Sequence, residues 1–143
     1  GGLIAYDSNE FGDRIEVIVR RFPEPGQPLR VAPGVSRAPR WSPDGRRLYF
    51  WSPGNPADTL KVATIRREPS LAVAGVEVLG TFNVIGLDNW DLHPSGDRAI
   101  ARAPADQDLG SADQGAESGQ PSLRYVVVLN WFEELKARMD EAR

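Results

Sequence analysis

Pro39-Arg40-Trp41-Ser42-Pro43-Asp44-Gly45-Arg46-Arg47-Leu48-Tyr49-Phe50 reads as a strand, a tight turn and a second strand. Proline presets φ for the first central turn position, aspartate suits the second, and glycine accepts the left-handed geometry that follows. An echo lies at Asp91-Leu92-His93-Pro94-Ser95-Gly96-Asp97-Arg98-Ala99-Ile100-Ala101. Pro43 answers to Pro94, Gly45 to Gly96 and Arg47 to Arg98, each at an offset of 51 residues. A repeat at such a period marks stacked supersecondary units, and strands flanking each turn mark all-β units such as propeller blades.

Working outward, Leu3-Ile4-Ala5-Tyr6-Asp7-Ser8 and Ile15-Glu16-Val17-Ile18-Val19-Arg20 read as a hairpin, and Leu29-Arg30-Val31-Ala32 as a short outer strand. Between them Phe22 to Pro28 is a stiff proline-rich loop. Leu48-Tyr49-Phe50-Trp51 is wholly apolar and is expected to be central and buried on both faces. Leu60 to Ile65 alternates, and Val76-Glu77-Val78-Leu79 closes that unit. Asn89 to Leu92, Arg98 to Ala101 and Leu123 to Leu129 supply three further strands. Pro104 to Pro121 is polar, acidic and low in complexity, and is expected to be a mobile insertion. Asn130 reads as a helix N-cap with Glu133 at the third helical position, and Trp131, Leu135 and Met139 form one apolar stripe on a closing helix.

The fold expectation is therefore all-β: a partial propeller of four-stranded antiparallel blades, about two and a half of them, with a short C-terminal helix. Residues 1–36 are expected to give the last three strands of one blade and 37–80 a complete blade. Residues 81–130 would form the final blade, with the insertion at 104–121, and 131–143 the helix. On this pattern the chain opens inside a blade and is expected to be part of a longer protein.

Composition narrows the function classes. Among 143 residues, 41% are hydrophobic and 26% charged, values typical of a globular chain. A net charge of -3, with arginines scattered among carboxylates, offers no footprint for nucleic acid. The absence of cysteine removes disulfides, thiolate metal sites and thiol nucleophiles. No apolar run approaches the ~20 residues of a membrane helix. The opening Gly1-Gly2-Leu3-Ile4-Ala5-Tyr6 has neither the basic n-region nor the apolar h-region of a signal peptide and reads as strand.

His93 is the sole histidine and stands where Ser42 stands in the first turn, so a turn role outweighs a triad or metal role. Asp44 reads as a turn stabiliser, with metal ligation as the alternative. Ser42, Pro43, Asp44, Gly45, His93, Pro94, Ser95 and Gly96 are thus structural turn residues. Asp88, Asn89, Trp90 and Asp91 cluster at a strand entrance and are the candidates for a ligand or partner face. Asp106, Asp108, Asp113 and Glu117 lack the EF-hand spacing and read as solvated. Trp41, Tyr49, Phe50, Trp51 and Trp90 read as packing between repeats, with an aromatic ligand cage as the alternative. No nucleophile elbow, P-loop, metalloprotease or kinase motif is present, so no catalytic residue, cofactor or metal is assigned.

The string Ala38 to Phe50 resembles the TolB-type, WD-like β-propeller repeat. Ile4 to Gly12, Glu16 to Pro23 and the ending Val126-Val127-Val128-Leu129-Asn130-Trp131-Phe132-Glu133-Glu134-Leu135-Lys136 follow in the order seen at the C-terminal end of propellers fused to bacterial serine/threonine protein kinases. Ser95 departs from the usual aspartate of the turn, and the 104–121 insertion interrupts the last blade. The resemblance implies a non-catalytic binding or scaffold module, the sensor or docking domain of such a kinase, in a periplasmic or extracytoplasmic setting. Its partners would be a protein or peptide, or the remaining blades of a parent propeller, met across loops 33–37, 52–59 and 81–89. The alternative is an accessory propeller of a prolyl-oligopeptidase-like hydrolase, with catalysis elsewhere. A third possibility is an open sheet protein whose blade edges pair between copies.

Overall fold

The computed structural model describes residues 2–23, 26–96 and 98–103, and the backbone of 124–128. The expected insertion at 104–121 and the helix at 131–143 lie outside these residues. Every regular element among the described residues is a β-strand, and all pairings are antiparallel. The chain divides into two compact units, Gly1–Phe82 and Asn83–Arg143.

The first unit contains two sheets. In one, β1 (Gly2–Ser8), β2 (Glu16–Phe22) and β3 (Leu29–Arg30) lie in sequence order; in the other, β4 (Arg37–Trp41), β5 (Arg47–Ser52), β6 (Asp58–Arg66) and β7 (Ala72–Phe82) do the same. Consecutive strands joined by short turns pair with their neighbours at low closure cost, which produces such meanders. The alternation of β2 sends Val17 and Val19 to one face, and they meet Leu48 and Phe50 of β5 and Ala63 and Ile65 of β6. Leu3, Ala5, Leu29, Trp41, Leu71 and Val73 pack around that seam, which is the apolar core of the unit. Burying a side chain such as Phe50 contributes roughly 2–3 kcal/mol, so this seam dominates the stability of the unit.

β5 is buried on both faces, with Leu48, Tyr49, Phe50 and Trp51 all nearly inaccessible, as its apolar run predicts. Trp51 meets Phe82 edge to face, ring centres 6.1 Å apart. β7 is longer than the expected Val76 to Leu79 and begins at Ala72. Small Ala and Gly residues hide it from a β-propensity reading, and pairing with β6 imposes it. β3 is shorter than expected: Val31 and Ala32 are buried but leave the ladder. The Val31 amide still bonds the Val17 carbonyl (3.0 Å), and Ser36 bonds back to Ile15 (3.0 Å).

β4 carries a bulge that places Ala38 and Pro39 opposite Phe50 alone. A bulge on an edge strand is where a proline, lacking a ladder donor, can sit. Ala38 takes φ +53°, and its amide turns toward the Asp7 carboxylate at 3.4 Å.

In the second unit, β8 (Trp90–Leu92), β9 (Ala99–Ala103) and β10 (Arg124–Val128) form a three-stranded meander. Among the described side chains of β8 and β9, Trp90, Ala99, Ala101 and Ala103 are buried.

Candidate functional site

The two echoing turns share one backbone. The Ser42 amide donates to the Arg47 carbonyl and the Gly45 amide to the Ser42 carbonyl, both at 2.8 Å. At the 51-residue offset, His93 and Arg98, and Gly96 and His93, repeat both bonds at the same lengths. Gly45 and Gly96 have φ of +67° and +75°, the left-handed geometry each turn needs. The side chains differ. Ser42 Oγ accepts the Arg47 amide at 2.9 Å and lies 2.5 Å from Asp44 Oδ1, which also accepts the Arg46 amide at 3.0 Å. In the second turn His93 Nδ1 accepts the Ser95 amide at 3.2 Å and lies 2.6 Å from Ser95 Oγ. Bonds from Ser42 and the Arg46 amide, with Arg46 and Arg47 nearby, hold the Asp44 carboxyl below its ordinary range despite partial desolvation.

Asp88, Asn89 and Asp91 are exposed, whereas Trp90 is buried. Gly86, at φ +67°, opens the turn and accepts the Asn89 amide at 2.9 Å. A Cβ on Gly86 would stand 2.8 Å from the Asn89 side-chain amide, so glycine lets that amide fold over the turn. β8 then alternates: Trp90 enters the core opposite Ala101, and Asp91 stands on the outer face opposite Ile100. The structure therefore brings three polar members of the candidate face to one strand entrance and takes the indole away from it. Among the described residues no three His, Asp or Glu side chains converge into a metal-binding group. Among the same residues no helix is long and apolar enough to cross a membrane.

The first unit holds polar assemblies that the sequence reading did not single out. On the face of the first sheet opposite the seam, Tyr6 donates to Glu10 at 2.8 Å, and Arg20 donates to Tyr6 and to Glu10, each at 2.6 Å. On the same face Arg30 grips Glu16 through two bonds of 2.7 Å and lies 5.8 Å from the centre of the Phe11 ring. The Arg30 bonds hold the Glu16 carboxyl below its ordinary range, outweighing desolvation. Desolvation and the Glu10 bond raise the Tyr6 hydroxyl above its own. Tyr6 and Arg20, and Glu16 and Arg30, are diagonal cross-strand neighbours, visible only once the register Tyr6 to Ile18 and Ile18 to Arg30 is known.

Polar contacts clamp the seam at both ends. At one, Asp7 receives the Ala38 amide and lies 3.7 Å from Arg37 Nε. At the other, Arg21 donates to the Arg67 carbonyl at 2.8 Å and Arg67 to the Gly45 carbonyl at 3.0 Å.

Compared with known proteins, the chain matches no family model, no curated protein and no solved structure.

Proposed function

We propose that this chain is a non-catalytic binding or scaffold module, the C-terminal part of a TolB-like β-propeller in which each sheet is a blade. The observation that carries the reading is the first unit's seam. A four-stranded antiparallel sheet in strict sequence order lays one apolar face on the sheet before it, and its leading turn recurs 51 residues on with the same backbone bonds. Face-to-face stacking of such meanders is how propeller blades bury their cores. Asp88, Asn89 and Asp91, exposed at the entrance to β8, are the side chains assigned to a polar partner, and Trp90 is assigned to packing. The propeller as sensor or docking domain of a serine/threonine kinase is the setting that the sequence resemblance favours.

Complementation in trans tests the reading. The remainder of the encoding reading frame, expressed separately, is expected to form a stoichiometric complex with this chain and to slow amide exchange in β1. A chain that stays monomeric in that mixture by light scattering, or that itself hydrolyses peptides or transfers phosphate, overturns it.

A further inference from the structure

The arginines look dispersed in the sequence, but the fold gathers four of them at one end of the seam. Arg21 closes β2, Arg46 lies in the turn before β5, and Arg66 and Arg67 end β6; all four are exposed. Two are tied in place across the two sheets. The Arg67 guanidinium bonds the Gly45 carbonyl at 3.0 Å, and the Arg21 guanidinium bonds the Arg67 carbonyl at 2.8 Å. Gly45 makes room for this, since a Cβ there would stand 3.1 Å from Arg67 Nη2. Each tie uses an Nη2 donor and leaves the other N–H groups of that planar fork directed by the tether.

Charge is not balanced locally. Among the described residues the ion pairs engage Arg20, Arg30 and Arg37, and none engages these four. The nearest carboxylates in sequence are Glu24, which lies outside the described residues, Asp44 and Glu68. Asp44 is already occupied by the Ser42 hydroxyl and the Arg46 amide. Four exposed guanidinium groups therefore stand against three carboxylates, an excess of one positive charge on a chain whose net charge is -3.

We propose that the Arg21–Arg67 end of the seam is a binding site for a tetrahedral oxyanion of the phosphate type. A carboxylate presents two coplanar oxygens and suits a single guanidinium fork. Here the forks come from two sheets, and a tetrahedral group can accept from both at once. Tethering lowers the entropy lost on binding, because the side chains are ordered before the anion arrives. The inference concerns the first unit alone and does not depend on the blade reading.

The probe is inorganic phosphate, observed by phosphorus NMR at low ionic strength, where exposed charges are least screened. Line broadening that saturates on titration with the whole chain is expected. Arg67→Gln and Arg21→Gln should each weaken it about tenfold, the scale of a lost charge-assisted bond. Arg14→Gln, which removes an equal charge from an exposed site elsewhere, should leave it unchanged. Sulfate should compete and acetate should not. If Arg67→Gln unfolds the chain, Arg21→Gln at its strand end carries the same expectation. No saturable broadening with millimolar phosphate, equal weakening by Arg14→Gln, or competition by acetate as strong as by sulfate overturns the proposal.

Discussion

At the scale of single residues, two carboxylates and one hydroxyl hold disproportionate responsibility. Glu16 and Asp44 both have lowered pKa values in the fold, from Arg30 in the first case and from Ser42 and the Arg46 amide in the second. A group depressed in the folded state contributes stability above its unfolded pKa and loses that contribution as pH falls through the folded value. Thermal melts followed by circular dichroism should therefore show the wild-type chain losing stability between about pH 5 and pH 2. Glu16→Gln and Asp44→Asn should flatten that profile, each by a part; an unchanged profile in both would contradict the assignment. Ser42 Oγ is buried and accepts the Arg47 amide, so Ser42→Ala removes that acceptor. A loss of roughly 1–3 kcal/mol is expected in urea denaturation. Ser95→Ala, in an exposed turn, should cost less than Ser42→Ala.

At the scale of the strand, the bulge in β4 is the element most sensitive to side-chain shape. Ala38 combines φ +53° with burial, a position where a non-glycine residue stores about 1–2 kcal/mol of backbone strain. Ala38→Gly relieves the strain but removes a buried methyl worth about 0.8 kcal/mol, so it should be close to neutral. Ala38→Val adds branching where φ is positive at a buried position, so denaturation should show a clear destabilisation, larger than that of Ala38→Gly. Much at this scale was legible beforehand. The apolar run Leu48 to Trp51 announced a doubly buried strand, and the Ser42 to Gly45 and His93 to Gly96 turns announced their hairpins. The bulge was not legible, because Pro39 sits inside a good strand pattern and only pairing with Tyr49 and Trp51 reveals the extra residue. The early strand residues Ala72 to Gly75 escaped for the opposite reason: their composition is poor in strand formers, and β6 enforces the pairing.

At the scale of the molecule, the seam between the two sheets of the first unit should set the order of unfolding. Phe50 is fully buried in it, and Phe50→Ala should cost roughly 3–5 kcal/mol. Native-state hydrogen exchange should find β5 and β6 slowest and β3, with two paired residues, faster. Equal protection of β3 and β5 would contradict a seam-centred core. The polar assemblies at the seam's ends were hidden from the sequence for a reason of scale. Arg21 and Arg67 are 46 positions apart, and scattered arginines read as a solvated surface until the fold collects them. Of the candidate face, the clustering of Asp88, Asn89 and Asp91 followed from their adjacency, whereas the inward turn of Trp90 required the phase of β8.

Among the described residues the outer strand β7 pairs with β6 along one side only, and it carries a single charge, Glu77, in eleven residues. Such an edge would ordinarily be a template for uncontrolled addition of further chains. Its register slips twice, leaving Ala74 and Leu79 outside the ladder, so no uninterrupted run exceeds the four residues Gly75 to Val78. A straight incoming strand loses step at each slip before enough bonds accumulate to hold it. The irregularities thus act as gatekeepers against fibril growth, a protection written in backbone phase where other edges use lysine or proline.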